Sequence, residues 1–282
     1  MQPCDQRVPE AATGPRILLL GPIRMEGAVG DLADKDQGRA MELAAFIALY
    51  PGADQTAIGT AMWPGKTVTA WWRHGEVAKL RRWLGAAPDG RFYLPRLRET
   101  SRWGYQLHPA MATDWDQFQE LLPHGASGAP TDNLEQALTL VRGRPFADAK
   151  PRYYAFAEET MQEMIAAIVD AAYELGRRRL HEGAWQQATT AATHGLTVEP
   201  GMERLWRIRI LAAHVNGDNL GAYRAIDRMM AYTDELGGDL EDATEKLLTD
   251  FGWRQGRPPT SPPDPSLIER YLPPTAAHEE PQ

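Results

Sequence analysis

The chain has 282 residues, of which 43% are hydrophobic, and a formal net charge of −8. This length is sufficient for two domains with buried cores. The single cysteine, Cys4, has no partner within the chain, so an internal disulfide is excluded and a reducing compartment, the cytoplasm, is expected. No segment approaches the roughly 20 apolar residues that cross a bilayer, and the apolar run at 17–23 lacks the flanks of a signal peptide.

The first part of the chain alternates strand and helix signals. Residues 1–14 are polar and interrupted by Pro and Gly, which predicts a disordered leader. From Arg16, RILLLGPIRMEG indicates two short strands joined by a Gly-Pro turn. The segment RAMELAAFIALYPG at 39–52 has helical hydrophobic spacing, and a second helix is predicted over 54–62, with Asp54 as its cap.

A third helix and two β-rich pieces complete this part. The helix is predicted from about Thr67 to Leu84, ending at Gly85. Phe92 to Leu94 and Trp103 to Leu107 then predict the two strands of a hairpin, joined by a basic loop. Strands, three helices and a hairpin are the element order of a winged helix-turn-helix domain, predicted over 15–110.

The rest of the chain predicts helices only. HEGAWQQA at 181–188 aligns with VNGDNLGA at 215–222 at an offset of 34 residues, with glycine over glycine and alanine over alanine. This is the period of a tetratricopeptide repeat, and a chance match within an ordinary helical bundle is the alternative. We predict an all-α, tetratricopeptide-like domain over 111–255. Eight prolines in the last 27 residues predict a disordered tail at 256–282. The expected fold class is mainly α, a winged helix-turn-helix (α+β) domain followed by the helical-repeat domain.

Several motifs resemble the actinobacterial antibiotic regulatory protein (SARP) family. In chain order they are WPG, LRRWLG, GYQL, TDWDQFQELL, RGRPF and EGAWQQATTAATHGLTVEPGMERLW. The resemblance covers roughly 15–252. It implies a winged-helix DNA-binding domain joined to a bacterial transcriptional activator domain (BTAD), which is tetratricopeptide-like. RRWLGAAPDGRFYLP and QEMIAAIVDAAYEL are most similar to the version found at the C-terminus of large LysM-containing proteins, so the chain is either a standalone member or an excised C-terminal region.

A basic island coincides with the third helix and the predicted wing. Residues 61–108 contain nine Lys or Arg and three Asp or Glu, a net charge of +6, whereas the flanking parts sum to −3 and −11. Lys and Arg supply most of the non-specific affinity for DNA phosphates. We predict DNA contact by eight residues of these two elements: Trp71, His74, Lys79, Arg81, Arg82, Arg96, Arg98 and Arg102.

The third helix has two distinct faces. At 100° per residue its core side is Val77, Leu80 and Leu84, with Arg73 in the same sector, where family members usually have an aliphatic residue. The opposite face is centred on Trp71, Gly75, Ala78, Lys79 and Arg82. It carries no Asn or Gln, and Glu76 on one flank would repel phosphate, so phosphate binding is better supported than base readout.

No catalytic pattern is present. The histidines lack metal-ligand spacing, and GKT at 65–67 is not a P-loop because Thr60 stands where its first glycine is needed. No serine lies in a nucleophile elbow. We therefore predict a protein that is not an enzyme and that needs no cofactor and no metal.

The predicted function is a DNA-binding transcriptional regulator. The winged helix would contact duplex DNA, and the helical domain would contact a protein partner such as RNA polymerase or a second copy in a homodimer. The alternative is a protein-interaction module with a degenerate winged helix that no longer binds DNA. The overall acidity, Arg73 and the similarity to LysM-linked proteins favour the alternative.

Overall fold

The computed structural model describes residues 14–66, 69–100, 104–149, 153–253 and 262–273, apart from the side chain of Trp72. These residues contain three short strands and twelve α-helices, so the predicted mainly α class is confirmed. The chain divides into two compact units, Met1–Phe118 with Pro145–Gln162, and Gln119–Arg144 with Glu163–Gln282.

The first unit contains a small sheet of order β2-β1-β3. Strand β1 (Arg16–Leu18) pairs antiparallel with β2 (Arg24–Glu26), as the strand-turn-strand pattern predicts. Strand β3 (Ala112–Thr113) pairs in parallel with β1. The sequence did not predict β3, because two residues are too few to show an alternating pattern.

Three helices follow the first two strands: α1 (Asp34–Leu49), α2 (Gln55–Met62) and α3 (Ala70–Leu84). The predicted cap of α2 is confirmed, because the Asp54 carboxylate accepts the Ala57 N–H at 2.7 Å. The predicted core side of α3 is also confirmed, since Val77, Leu80 and Leu84 are buried.

The predicted wing is wrong in its pairing. In the described residues, Phe92 bridges to Ala86 and Tyr105 bridges to Ala53, so 92–94 and 104–107 form no two-stranded hairpin with each other. A 3-10 turn, Leu97–Glu99, lies between them. The Glu99 carboxylate accepts the Arg96 backbone N–H at 2.9 Å, and this local hydrogen bond competes with a strand ladder. Trp103 lies outside the described residues.

Residues 145–162 group with the first unit, although the sequence assigned them to the second domain. The Phe146 N–H donates to the Leu19 carbonyl at 3.2 Å. The Tyr50 hydroxyl donates to the Phe156 carbonyl at 2.7 Å, and the rings of Phe46 and Phe156 meet edge to face at 5.0 Å. Aromatic contacts between segments so distant in sequence leave no periodic signal, so the sequence did not predict this grouping.

The remaining helices are α4 (Asp114–Leu121), α5 (Gly125–Gly128), α6 (Thr131–Thr139), α7 (Glu158–His181), α8 (Trp185–Val198), α9 (Glu203–Val215), α10 (Asn219–Leu236), α11 (Asp242–Asp250) and α12 (Ser266–Tyr271). In the second unit, α8 packs on α9 and α9 packs on α10. Consecutive antiparallel helix pairs of this kind build a tetratricopeptide-like layer.

The turns after α7 and α9 have the same geometry. Gly183 and Gly217 both adopt φ +76°. The Gly183 N–H donates to Leu180 at 3.1 Å, and the Gly217 N–H donates to His214 at 2.9 Å. In each turn the backbone N–H of the next residue donates a hydrogen bond of 2.8 Å to the carbonyl five residues earlier. The aligned Ala188 and Ala222 are both fully buried. The predicted 34-residue offset therefore corresponds to a real structural repeat.

The predicted disordered tail is wrong for residues 262–273. Helix α12 lies within it, and Leu267, Ile268 and Leu272 are buried. The Arg177 guanidinium donates to the Pro273 carbonyl at 3.2 Å, and the His181 Nε2 lies 2.7 Å from the Leu272 carbonyl. The sequence did not predict this helix, because three apolar residues within a proline-rich segment are too weak a helical signal. The rest of the tail, 256–261 and 274–282, and residues 1–13 of the predicted leader lie outside the described residues.

Candidate nucleic-acid interface

The outward face of α3 is placed as the sequence predicts. Trp71 has 80% of its surface exposed. His74, Gly75, Ala78 and Arg82 are also exposed, whereas Lys79 and Arg81 are half-buried. The face therefore presents a large aromatic ring near its N-terminal end and a cation near its C-terminal end.

Lys79 is engaged within the first unit. Its ammonium lies 3.0 Å from a carboxylate oxygen of Asp36 on α1 and 3.0 Å from one of Glu76 on α3. Hydrogen bonds to Asp36 and then to Glu76 raise the pKa of Lys79. Glu76 is itself buried. The predicted repulsion of phosphate by Glu76 is thereby weakened, because this carboxylate faces inward and Lys79 compensates its charge.

Arg81 connects α3 to the loop that follows it. Its Nε donates to the Leu94 carbonyl at 2.7 Å, and its Nη2 donates to the Pro95 carbonyl at 3.3 Å. Burial lowers the pKa of Arg81, and the positive charge of Arg96 contributes a smaller part. Two other residues of the predicted DNA-contacting set, Arg96 and Arg98, follow directly after these two carbonyls in the chain. Arg81 is thus in a position to fix the loop relative to α3.

Arg96 and Arg98 are exposed on the 3-10 turn and its flank. The Arg96 guanidinium lies 5.9 Å over the ring of Phe92, and the Arg98 Nε lies 3.9 Å from a carboxylate oxygen of Glu99. Exposed contacts of this kind contribute little free energy and leave both side chains accessible. Arg102 lies outside the described residues.

Helix α2 supports α3 through residues that sequence reasoning missed. The His74 Nε2 lies 2.9 Å from the side-chain amide nitrogen, Nε2, of Gln55. A Cβ at Gly59 would lie 3.4 Å from the Arg73 guanidinium, an ordinary van der Waals distance, so the Arg73 side chain lies alongside α2. The arginine in the core sector of α3 thus packs against the facing helix beside Gly59.

Neither a metal site nor a membrane span is found in the part of the chain that the structure describes. Among the described residues, no group of three or more His, Cys, Asp or Glu could hold a metal ion. Within the same part of the chain, no helix combines the length and the apolar composition that a membrane span requires.

The first unit contains a three-stranded sheet, three helices and a basic loop, and the second contains helical pairs with a 34-residue repeat. These features define a winged helix-turn-helix protein with a tetratricopeptide-like domain. Residues 113–250 match the bacterial transcriptional activator domain. This match confirms the predicted resemblance to the antibiotic regulatory protein family. The narrower resemblance to LysM-linked proteins stays a prediction.

A solved structure supports the fold. Mycobacterium tuberculosis EmbR, in complex with a low-affinity phosphopeptide, superimposes with a TM-score of 0.60 at 21% sequence identity. The match covers 84% of this chain and 65% of the EmbR chain, so the chain spans slightly less than two thirds of that protein. No curated protein matches the chain.

Proposed function

We propose that the chain is a transcriptional regulator that binds duplex DNA through the outward face of α3 and the loop 95–102. The activator domain over 113–250 supports the regulatory role. The winged-helix fold supports the docking geometry, in which this helix enters the major groove and the following loop meets the backbone.

One observation carries the proposal. The only acid of α3, Glu76, is buried against Lys79, so the exposed face of the helix carries no carboxylate. Small groups at Gly75 and Ala78 allow close approach to a duplex, and Arg82 provides a cation on the same face. A phosphate-binding helix needs this combination of access and positive charge.

The eight predicted residues take different parts in the proposal. Arg82, Arg96, Arg98 and Arg102 would contact phosphates, and Trp71 and His74 would lie against the sugar-phosphate backbone. Lys79 and Arg81, which have partners inside the unit, would act as positioning residues. Their bonds hold α3 against α1 and the loop against α3.

The helical domain would supply the protein contacts. Helical repeats expose extended surfaces suited to peptide or helix recognition. RNA polymerase or a second copy of the chain is the partner that an activator domain suggests. A homodimer would place two winged helices on two half-sites.

The second candidate is an interaction module that no longer binds DNA. It is favoured by the internal engagement of Lys79 and Arg81, which leaves fewer cations for phosphate. Trp71 also favours it, because an exposed tryptophan is typical of protein interfaces.

Fluorescence anisotropy of the full chain with random-sequence duplex DNA over a salt series tests the proposal. We expect binding that weakens steeply with salt, and a double variant Arg82→Ala/Arg98→Ala that reduces the salt slope by about 2. Arg224→Ala, an exposed arginine on α10, is the matched control and should leave the slope unchanged. Absence of binding at low salt by a folded protein would support the interaction module instead.

A further inference from the structure

The second unit contains an open cleft of about 670 Å³ between the α7–α8 turn and helices α9 and α10. Its lining includes Gln186, Gln187, Arg209 and Asn216. A cleft of this volume is within the usual range for ligand sites and exceeds the size of a single small anion. The DNA-binding proposal assigns this cleft no role.

Arg209 enters this cleft without a carboxylate partner among the described residues. Its Nε is buried and has no hydrogen-bond acceptor in that part of the chain. Its guanidinium lies 5.2 Å over the ring of Trp206, which fixes the side chain. Arg209 is half-buried and lines the cleft, so the part of its side chain that remains accessible can meet a ligand there.

The other arginines toward the start of α9 show the contrast. Arg204 lies 2.6 Å from Asp170, and Arg207 lies 2.6 Å from Glu241. Each of these helix arginines has an acid on a neighbouring element, whereas Arg209 has none in the described residues. Of these three arginines, the one that lacks a counter-ion in the described residues is therefore Arg209, which lines the cleft.

The charges around the cleft favour an acidic ligand. Burial lowers the pKa of Arg209, and the positive charge of Arg228 on α10 lowers it further. The one carboxylate in the lining, Asp218, caps α10 by accepting the Gly221 N–H at 2.8 Å. The cleft thus combines a partly buried, uncompensated cation with exposed amide side chains.

We propose that this cleft binds a carboxylate-bearing, extended segment of a protein partner, with Arg209 as the anchor. The inference rests on the part of the proposed function that gives the helical domain a protein partner, and it names the chemistry of that partner. A guanidinium pairs with a carboxylate through two parallel hydrogen bonds. The exposed Gln186 and Gln187 can donate to and accept from the backbone of the bound segment.

A fluorescein-labelled glutamate–alanine peptide, compared with a glutamine–alanine peptide of the same length, tests this inference on the full chain. We expect the acidic peptide to bind and the neutral peptide to bind at least tenfold more weakly. Arg209→Gln should weaken binding of the acidic peptide by about tenfold or more, whereas Arg224→Ala should not change it.

A second variant avoids the risk that loss of the Arg209–Trp206 contact unfolds the domain. Ala213 lines the cleft one helical turn after Arg209. Ala213→Glu gives Arg209 an internal partner at the i, i+4 spacing, which supports the helix. It should reduce acidic-peptide binding by about tenfold, and Ala213→Gln, the uncharged counterpart, should retain it.

The outcomes separate this inference from the DNA-binding proposal. Equal binding of both peptides, or full binding by Ala213→Glu, would overturn the acidic-segment site even if the chain still binds duplex DNA. Loss of DNA affinity in Arg209→Gln with unchanged peptide binding would overturn it too and would assign the arginine to nucleic acid. Acidic-peptide binding by a chain that does not bind DNA would sustain the cleft and refute only the winged-helix proposal.

Discussion

The Lys79 ammonium lies 3.0 Å from the Asp36 carboxylate, so the C-terminal half of α3 is tied to the first turn of α1. The two residues are 43 positions apart, and each is partly exposed. This ion pair compensates the charge of one cation of the basic island. It also holds the candidate DNA-binding helix against its neighbour.

Asp36→Asn is expected to strengthen DNA binding. The substitution leaves Lys79 with Glu76 as its one remaining acid in the described residues, so more positive potential reaches the surface. We expect a two- to threefold gain in affinity at low salt, measured by anisotropy, and a loss of unfolding free energy of at most about 1 kcal/mol. Asp34→Asn makes the same charge change two residues earlier, in the same first turn of α1. If both variants gain equally, net charge rather than the Lys79 pair is responsible.

Gly75 offers a direct test of the outward face of α3. No atom lies within 4 Å of a Cβ built there, so Gly75→Ala should raise the unfolding free energy by about 1 kcal/mol through helix propensity alone. Gly75→Glu should instead reduce DNA affinity by about tenfold, because it adds a carboxylate where the duplex would lie. Gly38→Glu, at an equally open and exposed glycine of α1, is the control. A similar loss in both glutamate variants would argue against contact by α3.

Local patterns predicted a large part of the first unit. The periodicity of α3 identified its buried side, and the Asp54 cap fixed the start of α2, because both depend on residues within a few positions of one another. The partners of Lys79 and Arg81 could not be predicted in this way. Asp36 and the Leu94 carbonyl reach them only through tertiary packing, so the sequence identified the basic side chains but not which of them remain available.

In the second unit, too, local patterns predicted some features, whereas features that depend on tertiary packing could not be predicted. The 34-residue offset could be read from Gly183 and Gly217, since a left-handed turn position strongly favours glycine. The lack of a counter-ion for Arg209 could not be predicted from the sequence, because it depends on which side chains the neighbouring helices place beside it. Helix α12 was missed because composition outweighed three apolar residues.

The two repeat turns should respond alike to substitution. Gly183→Ala and Gly217→Ala each place a side chain at φ +76°, and each Cβ would meet its nearest atom at an ordinary contact distance. The cost is therefore backbone strain, about 1 kcal/mol of unfolding free energy for each variant. Asparagine at either position should cost less, because it tolerates the left-handed region. Urea unfolding would measure these values, and a large difference between the two turns would contradict their structural equivalence.

Glu42 gives the first unit a stability that depends on pH. Its side chain is almost fully buried, and its carboxylate Oε2 lies 2.6 Å from the Arg39 Nη1. Burial raises the pKa of Glu42 from its ordinary value of 4.5 to about 7, although the charge of Arg39 opposes this rise. Between these values the folded protein keeps a proton that the unfolded chain has lost. The contribution of Glu42 to stability is therefore full below about pH 4.5 and falls as the pH rises through about 7.

Glu42→Gln removes this titration. The shift in pKa corresponds to about 3 kcal/mol, so the difference in unfolding free energy between variant and wild type should move in favour of the variant by up to this amount from about pH 5 to about pH 8. Urea unfolding at both pH values measures the difference, and Glu26→Gln, an exposed glutamate on β2, is the control that should show little change. A constant difference between Glu42→Gln and wild type would mean that Arg39 keeps Glu42 ionised throughout this range. The pair would then behave as an ordinary buried ion pair, and Glu42→Gln would destabilise the fold equally at both pH values because Arg39 would lose its counter-ion.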